Sequence, residues 1–376
     1  MSDRPDGHLS EYAATIALAQ ALVQIDTTNG NEAAAADLIA ERLRALGIEV
    51  ERYPLQPGRD SIIARLNKAC EGPAICFSGH LDTVPLGAQP WAFNALSGQV
   101  TEDRIWGRGT TDMKAGVAAM VTAFERLHLS KAGNHVVLVL SASEETGCQG
   151  AADIADKIGP VGAMIIAEPT SGRVAIGHKG VLWLRLVTNG KAAHGSMPQN
   201  GVNAVELMVD AIGALRTLAF EVTPHPLLGS PTKNVGTILG GSATNIVPDR
   251  CECTLDVRLV PGLSADAARM AIADCVGPAV TIETVLALDA VATDADHAWI
   301  QSVVRTASEI EGSPRAPASV SYFTDASVLC PALNCPPVAI VGPGDPELAH
   351  QINESCSVSA IWRASQLYER LARDWA

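Results

Sequence analysis

The sequence predicts an α/β fold: a mostly parallel sheet with helices on both faces, interrupted by a smaller inserted α+β unit. Two observations predict it. Short apolar runs of strand length alternate with helix-length segments of 3.6-residue spacing, the pattern of a parallel sheet. That texture changes after Gly177 and returns from about Asp294. The expected division is therefore 1–177, the inserted unit 178–291, and 292–376. A length of 376 residues is long for a single core and suits two domains.

The elements follow in order. Residues 9–25 and 32–46 carry helical apolar spacing, and 49–53 and 61–66 read as short strands. The run 74–79 is a buried-type strand leading straight into His80. A loop rich in Pro, Gly and Trp spans 85–101, and Asp112 then opens a helix to about Leu127, an acidic residue at a helix start. Strand 135–141 delivers Glu144-Glu145, and strand 162–167 delivers Glu168. In the inserted unit, 181–188, 233–239 and 251–259 read as strands, and 203–219 and 265–273 as helices. An apolar helix, a strand at 336–341 and a last helix at 358–372 close the chain.

Composition narrows the function. Hydrophobic residues make up 47% and charged residues 18%, enough apolar side chains for a large core. The net charge of −14 comes without a basic run, which argues against nucleic acid. No apolar stretch reaches the roughly 18 residues of a membrane span. Residues 1–12 are polar, without a basic-then-apolar signal. Nine scattered cysteines without a CxxC pair, Cys70 and Cys148 among them, read as small buried hydrophobes in a reducing compartment. A cytoplasmic protein is expected. Gly107-Arg108-Gly109 is not a phosphate loop, because no Lys-Ser/Thr follows. His8, His128, His135, His225 and His297 have no motif around them.

Chemistry concentrates at His80, Asp82, Asp112, Glu144, Glu145, Glu168 and His350, all but the last directly beside Gly, Ser, Thr or Pro. Sites in open parallel sheets form beyond the carboxyl ends of strands, where His80, Glu144-Glu145 and Glu168 all fall. Imidazoles with several carboxylates suit two divalent ions, zinc, cobalt or manganese, and a carboxylate can bridge them. Metal ions lower the pKa of bound water to about 7. A further carboxylate outside the ligand set must then move the proton. Glu144 and Glu145 can divide those roles, one as ligand and one as base. Asp82, two residues beyond His80, is placed to hold its second ring nitrogen.

These motifs resemble the co-catalytic metallohydrolases that include acetylornithine deacetylase, succinyl-diaminopimelate desuccinylase, aminoacylase and glutamate carboxypeptidase. The resemblance runs from about Ile75 to Cys356. It implies that His80 and Glu168 complete one metal site and Glu145 and His350 the other. Asp112 would bridge the ions, Glu144 would be the general base, and Asp82 would steady His80. The inserted unit is similar to the family's lid or dimerisation domain. His194, in His194-Gly195-Ser196-Met197-Pro198, matches the lid histidine that stabilises the oxyanion in a partner subunit's site, so a homodimer is implied. Asn245 and Arg258 match substrate-binding positions.

The acetylornithine deacetylase branch fits best, through His178-Lys179-Gly180, Arg258-Leu259-Val260-Pro261-Gly262 and Ala349-His350-Gln351. One departure is Ser321-Tyr322-Phe323-Thr324-Asp325-Ala326, which lacks the family's Gly-Gly-Thr run. The resemblance thus implies a metal-dependent hydrolase of N-acyl amino acids, on N-acetylornithine or a close relative. The alternatives are a dipeptidase or glutamate carboxypeptidase type of exopeptidase, acting on dipeptide-like substrates, and a desuccinylase. Bland roles also exist. His194 can cap a turn, Asn245 can be a turn residue, Asp82 can cap its loop, and Arg258 can pair with Asp256 or Asp249.

Overall fold

The structure is a computed structural model that describes residues 9–28, 30–68, 72–131 and 134–375. Cys70, His8 and most of the polar start of the chain lie outside the described residues. The chain divides into two compact units. The first comprises Met1–Gly177, Ala292–Ser319 and Thr324–Ala376, and the second His178–Val291 with Val320–Phe323.

The sheet of the first unit has a parallel centre. Val136–Ser141, Ala74–His80, Val161–Ile166 and Val338–Ile340 lie side by side in that order, all parallel. Antiparallel strands Arg59–Leu66 and Val50–Gln56 extend one side. The sequence dictates this order of burial. Ala74–His80 and Val136–Ser141 are buried at every position, as strands covered on both faces must be. Val50–Gln56, whose side chains alternate in burial, sits at the edge. Helix Lys114–Leu129 is buried at most positions and packs between helices Leu9–Gln24 and Val358–Arg373. The α/β class and the mostly parallel sheet are as the sequence predicts.

The second unit is a four-stranded antiparallel sheet in the order Thr232–Gly240, Arg250–Leu259, Gly180–Asn189, Val280–Leu288. Alternation along Arg250–Leu259 turns Cys251, Cys253, Leu255, Val257 and Leu259 inward. Helices Ala204–Thr217 and Ala265–Val276 cover that face through Met208, Leu215 and Ile272. Both helix starts are capped by side chains. Asn203 Oδ1 accepts the Val205 and Glu206 N–H groups, and Ser264 Oγ accepts that of Ala267.

The helix expected to begin at Asp112 begins two residues later, at Lys114. The Thr111 and Asp112 N–H groups are taken by the Glu354 carboxylate instead. Lys114 is itself unusual: a buried cation in the first turn of a helix, where the dipole disfavours it. Its ammonium donates to the Ile25 carbonyl at 2.7 Å. Burial pulls its pKa down from 10.5 to about 8. The sign follows. Below pH 8 the folded chain carries the full cost of a desolvated ammonium, about 3 kcal/mol at roughly 1.4 kcal/mol per unit. Between pH 8 and 10.5 the unfolded chain binds more protons than the folded one, so stability rises with pH. In chelator-treated protein, the stability of wild type relative to Lys114→Met should therefore rise by about 1–2 kcal/mol between about pH 8 and about pH 9.5. Urea denaturation of both proteins measures it, and a pH-independent difference refutes it.

Candidate metal centre

Three parallel strands end at the site. Ala74–His80 presents His80, the turn after Val136–Ser141 presents Glu144 and Glu145, and the chain beyond Val161–Ile166 presents Glu168. Asp112 comes from the loop before helix Lys114–Leu129, and its peptide bond to Met113 is cis. His350 comes from the loop 341–354 and holds a left-handed φ of 64°, a conformation that costs a non-glycine residue on the order of 1 kcal/mol. Two glycines permit close approach around Asp112. A Cβ on Gly109, at φ 81°, would lie 2.6 Å from Thr83 Cγ2, and one on Gly344 would lie 2.4 Å from the Thr111 carbonyl oxygen.

Asp112 is the centre of the arrangement. Its Oδ1 lies 3.1 Å from His80 Nε2, and its Oδ2 lies 3.3 Å from His350 Nε2. His350 Nε2 is also 3.2 Å from Glu145 Oε1, and His80 Nε2 is 3.7 Å from Glu168 Oε1. Donor atoms of His80, Asp112 and Glu145 fall within 4.8 Å of one another, as do those of His80, Glu144 and Glu168. All five residues expected as ligands, with Glu144, are thus brought together.

Asp82 lies against the second ring nitrogen of His80. The atom nearest His80 Nδ1 is the Asp82 backbone carbonyl oxygen at 3.1 Å, with Oδ1 at 3.5 Å. The Asp82 carboxylate also accepts the N–H groups of Glu144 and Glu145, each at 3.1 Å. One buried side chain therefore fixes the backbone of the glutamate pair while its own backbone orients the imidazole.

Charge explains what such a pocket can hold. Burial pushes the Glu144 and Glu168 carboxyls well above the ordinary range, and nearby carboxylates add to this. Glu145 is raised by burial and by Asp112. Burial alone would lower His80, but Asp112, Asp82 and Glu168 raise it well above its usual value. His350 is raised to about 10 by Asp112 and Glu145. Against its burial, Asp112 is held down by His350 and His80. Carboxylates crowd out one another's charge here, and both imidazoles are drawn toward them. Cations relieve that repulsion, and N/O donors at this spacing suit divalent zinc, cobalt or manganese. The residues therefore fit metal ions.

The family description Peptidase family M20/M25/M40 matches residues 76–374. The chain belongs to that family. This M20 chain is 30% identical over 369 residues to an acetylornithine deacetylase of Proteus mirabilis, covering 93% of this chain and 91% of the relative. It is 31% identical over 343 residues to an acetylornithine deacetylase of Vibrio campbellii, covering 86% of each. It shares its fold with the M20 family metallo-carboxypeptidase Sso-CP2 from Sulfolobus solfataricus, at a TM-score of 0.80 and 18% identity over 96% of this chain and 98% of the other. The M20 chain is a metallo-hydrolase. Among the described residues, no helix is long and apolar enough to cross a membrane.

His194, Asn245 and Arg258 lie in the second unit. His194 is exposed, and its Nδ1 accepts from the Ser196 N–H and hydroxyl at 3.1 and 2.7 Å. Its Nε2 is thus the nitrogen left for a ligand. Asn245 is exposed and sits beside the His194 segment, its carbonyl accepting the Gly195 N–H at 2.7 Å. Arg258 pairs with Asp256 at 3.0 Å.

Two further residues escaped the sequence reading. Asp325 is buried, accepts from Ser141 Oγ and groups with Glu144 and Cys148. Burial raises its carboxyl to about 6. Its place in the segment that departs from the family pattern is the one cue the sequence carries. Glu354, buried four residues after His350, binds the Asp112 loop, and no periodicity marks it.

Proposed function

We propose that this M20 hydrolase removes the acyl group from N-acyl amino acids, with N-acetylornithine or a close relative as substrate. His80 and Glu168 would hold one divalent ion and Glu145 and His350 a second, zinc or else cobalt or manganese, with Asp112 available to both. The observation that carries this reading is the placement of Asp112, whose two oxygens each face a different histidine. When bound, the ions supply Lewis-acid chemistry, polarising the amide carbonyl and acidifying water.

The chain's own residues do the rest. Glu144 takes the proton from the attacking water and delivers it to the leaving amine. Burial and the neighbouring Glu168, Glu145 and Asp325 hold its carboxyl above the ordinary range in the metal-free chain. Asp82 keeps the His80 ring and the Glu144 and Glu145 backbone in place. His194, offered by a partner subunit through Nε2, stabilises the oxyanion. Arg258 and Asn245 hold the substrate carboxylate, Arg258 exchanging part of its pairing with Asp256. The eight free cysteines among the described residues support a cytoplasmic setting.

A panel of N-acyl amino acids and dipeptides tests the substrate. With metal-loaded enzyme, the highest kcat/KM is expected on N-acetylornithine or another N-acetyl amino acid, with equimolar acetate released. A preference for dipeptides, with no acetate, favours an exopeptidase. A preference for N-succinyl-diaminopimelate favours a desuccinylase. The composite site has its own test. Glu144→Ala and His194→Ala homodimers are each expected to be inactive. Mixing them should restore up to about a quarter of wild-type activity per site, because a mixed dimer carries one intact site in two. No recovery after verified subunit exchange rules out a partner's histidine.

A further inference from the structure

We infer that Glu354 is the positioning residue of the metal-bridging carboxylate: it locks the loop carrying Asp112 to the loop carrying His350. The inference rests on the metal-centre reading above. The Glu354 side chain is fully buried. Its Oε1 accepts the Thr111 N–H at 2.7 Å and the Asp112 N–H at 3.2 Å. Its Oε2 accepts the Gly109 N–H at 3.1 Å and Arg108 Nη1 at 2.6 Å. Every group facing this carboxylate is a donor, and three of the four are backbone of the loop that ends in Asp112.

The surrounding bonds tie the same two segments together. The Gly107 N–H donates to the Glu354 carbonyl at 3.0 Å, and Thr111 Oγ1 donates to the Ser355 carbonyl at 3.0 Å. Arg108, itself buried, also donates from Nη1 to the Gln351 carbonyl at 3.2 Å and from Nη2 to the Pro85 carbonyl at 3.0 Å. His350 lies in the same stretch as Gln351 and Glu354, and its Nε2 stands 3.3 Å from Asp112 Oδ2. The distance from histidine to bridging oxygen is therefore set through the backbone of both loops, and Glu354 is the side chain that joins them. A carboxylate is required. Glutamine would turn an NH₂ group toward two donors, whichever way its amide lies.

Such outer residues typically alter metal affinity by about 10–100-fold when lost. The test compares wild type, Glu354→Gln and the double variant Arg108→Met/Glu354→Gln, which removes the buried arginine charge that the single variant leaves unpaired. Circular dichroism reports the fold. Calorimetric titration with zinc reports ion number and affinity without substrate, and the visible spectrum of the cobalt-loaded protein reports ligand geometry. Wild type should bind two ions. A folded Glu354→Gln, or the folded double variant, should bind them about 10–100-fold more weakly with a shifted cobalt spectrum. At saturating metal, kcat should fall while KM changes little. A folded variant with wild-type affinity and spectrum overturns the inference, and so does loss of fold in both variants, which makes Glu354 structural only. A wild type that binds no divalent ion overturns the metal-centre reading itself.

Discussion

Asp112→Ala should leave the hydrolase folded and without either ion. Chelated wild type should behave in the same way and recover on addition of zinc or cobalt, whereas Asp112→Ala should not. The reason is geometric. Each Asp112 oxygen stands 3.1–3.3 Å from a different histidine, so Asp112 is placed to serve both positions. Loss of His80 or His350 removes one donor from one ion, but loss of Asp112 removes one from each. Metal ions contribute several kcal/mol of transition-state stabilisation, so activity should fall by about 10³-fold or more. In the metal-free chain Asp112 raises Glu145 and Glu168 but is itself held down by His350 and His80, so its loss removes a favourable partner from both imidazoles, which keep Glu145, Asp82 and Glu168 beside them. Elemental analysis beside kcat/KM measures the outcome. Full activity in a chelated preparation, or an Asp112→Ala protein that keeps both ions, would falsify the bridging role.

The strand-end residues were legible in the sequence for a physical reason. A strand buried on both faces must be apolar throughout, so a polar residue at its end stands out. His80 after Ala74–Gly79 and Glu144-Glu145 after the Val136–Ser141 run are of this kind. The parallel arrangement then sends those ends to one edge of the sheet. What was not legible depends on contacts far apart in the chain. Glu354 takes its meaning from N–H groups 242 to 245 residues away. The same contacts explain why the helix after Asp112 starts late. For Asp82 the sequence pointed to the right neighbour but not to the atoms, since a two-residue offset does not say whether carboxylate or carbonyl meets the ring. The strand Val280–Leu288 went unread because most of its side chains are exposed or half-exposed, so hydrophobic periodicity does not mark it.

Glu144 and Glu145 are neighbours at the end of one strand, and the two should fail differently. Glu145 Oε1 faces His350 at 3.2 Å and groups with His80 and Asp112. As a ligand, it contributes first to metal affinity. Glu145→Gln should therefore lose one ion at low metal concentration, and added metal should recover part of the rate. Glu144 groups with His80 and Glu168, so proximity alone would allow it to ligate as well. Its partners argue otherwise. Glu145 faces His350 and Glu168 lies 3.7 Å from His80, whereas Glu144 is buried beside Asp325 and accepts from Cys148 Sγ at 3.8 Å. That placement suits a carboxylate that receives the proton of the attacking water. Its loss should lower kcat by about 10²–10⁴-fold with ion content unchanged, because a proton shuttle acts in the transition state. Glu144→Gln keeps size and shape, so the loss isolates the proton. The measurement is ion content and kcat for both glutamine variants at low and saturating zinc. If Glu144→Gln loses an ion while Glu145→Gln keeps both, the two roles must be exchanged. If both variants keep near wild-type rates, neither carboxylate moves the proton, and a different residue must be the base.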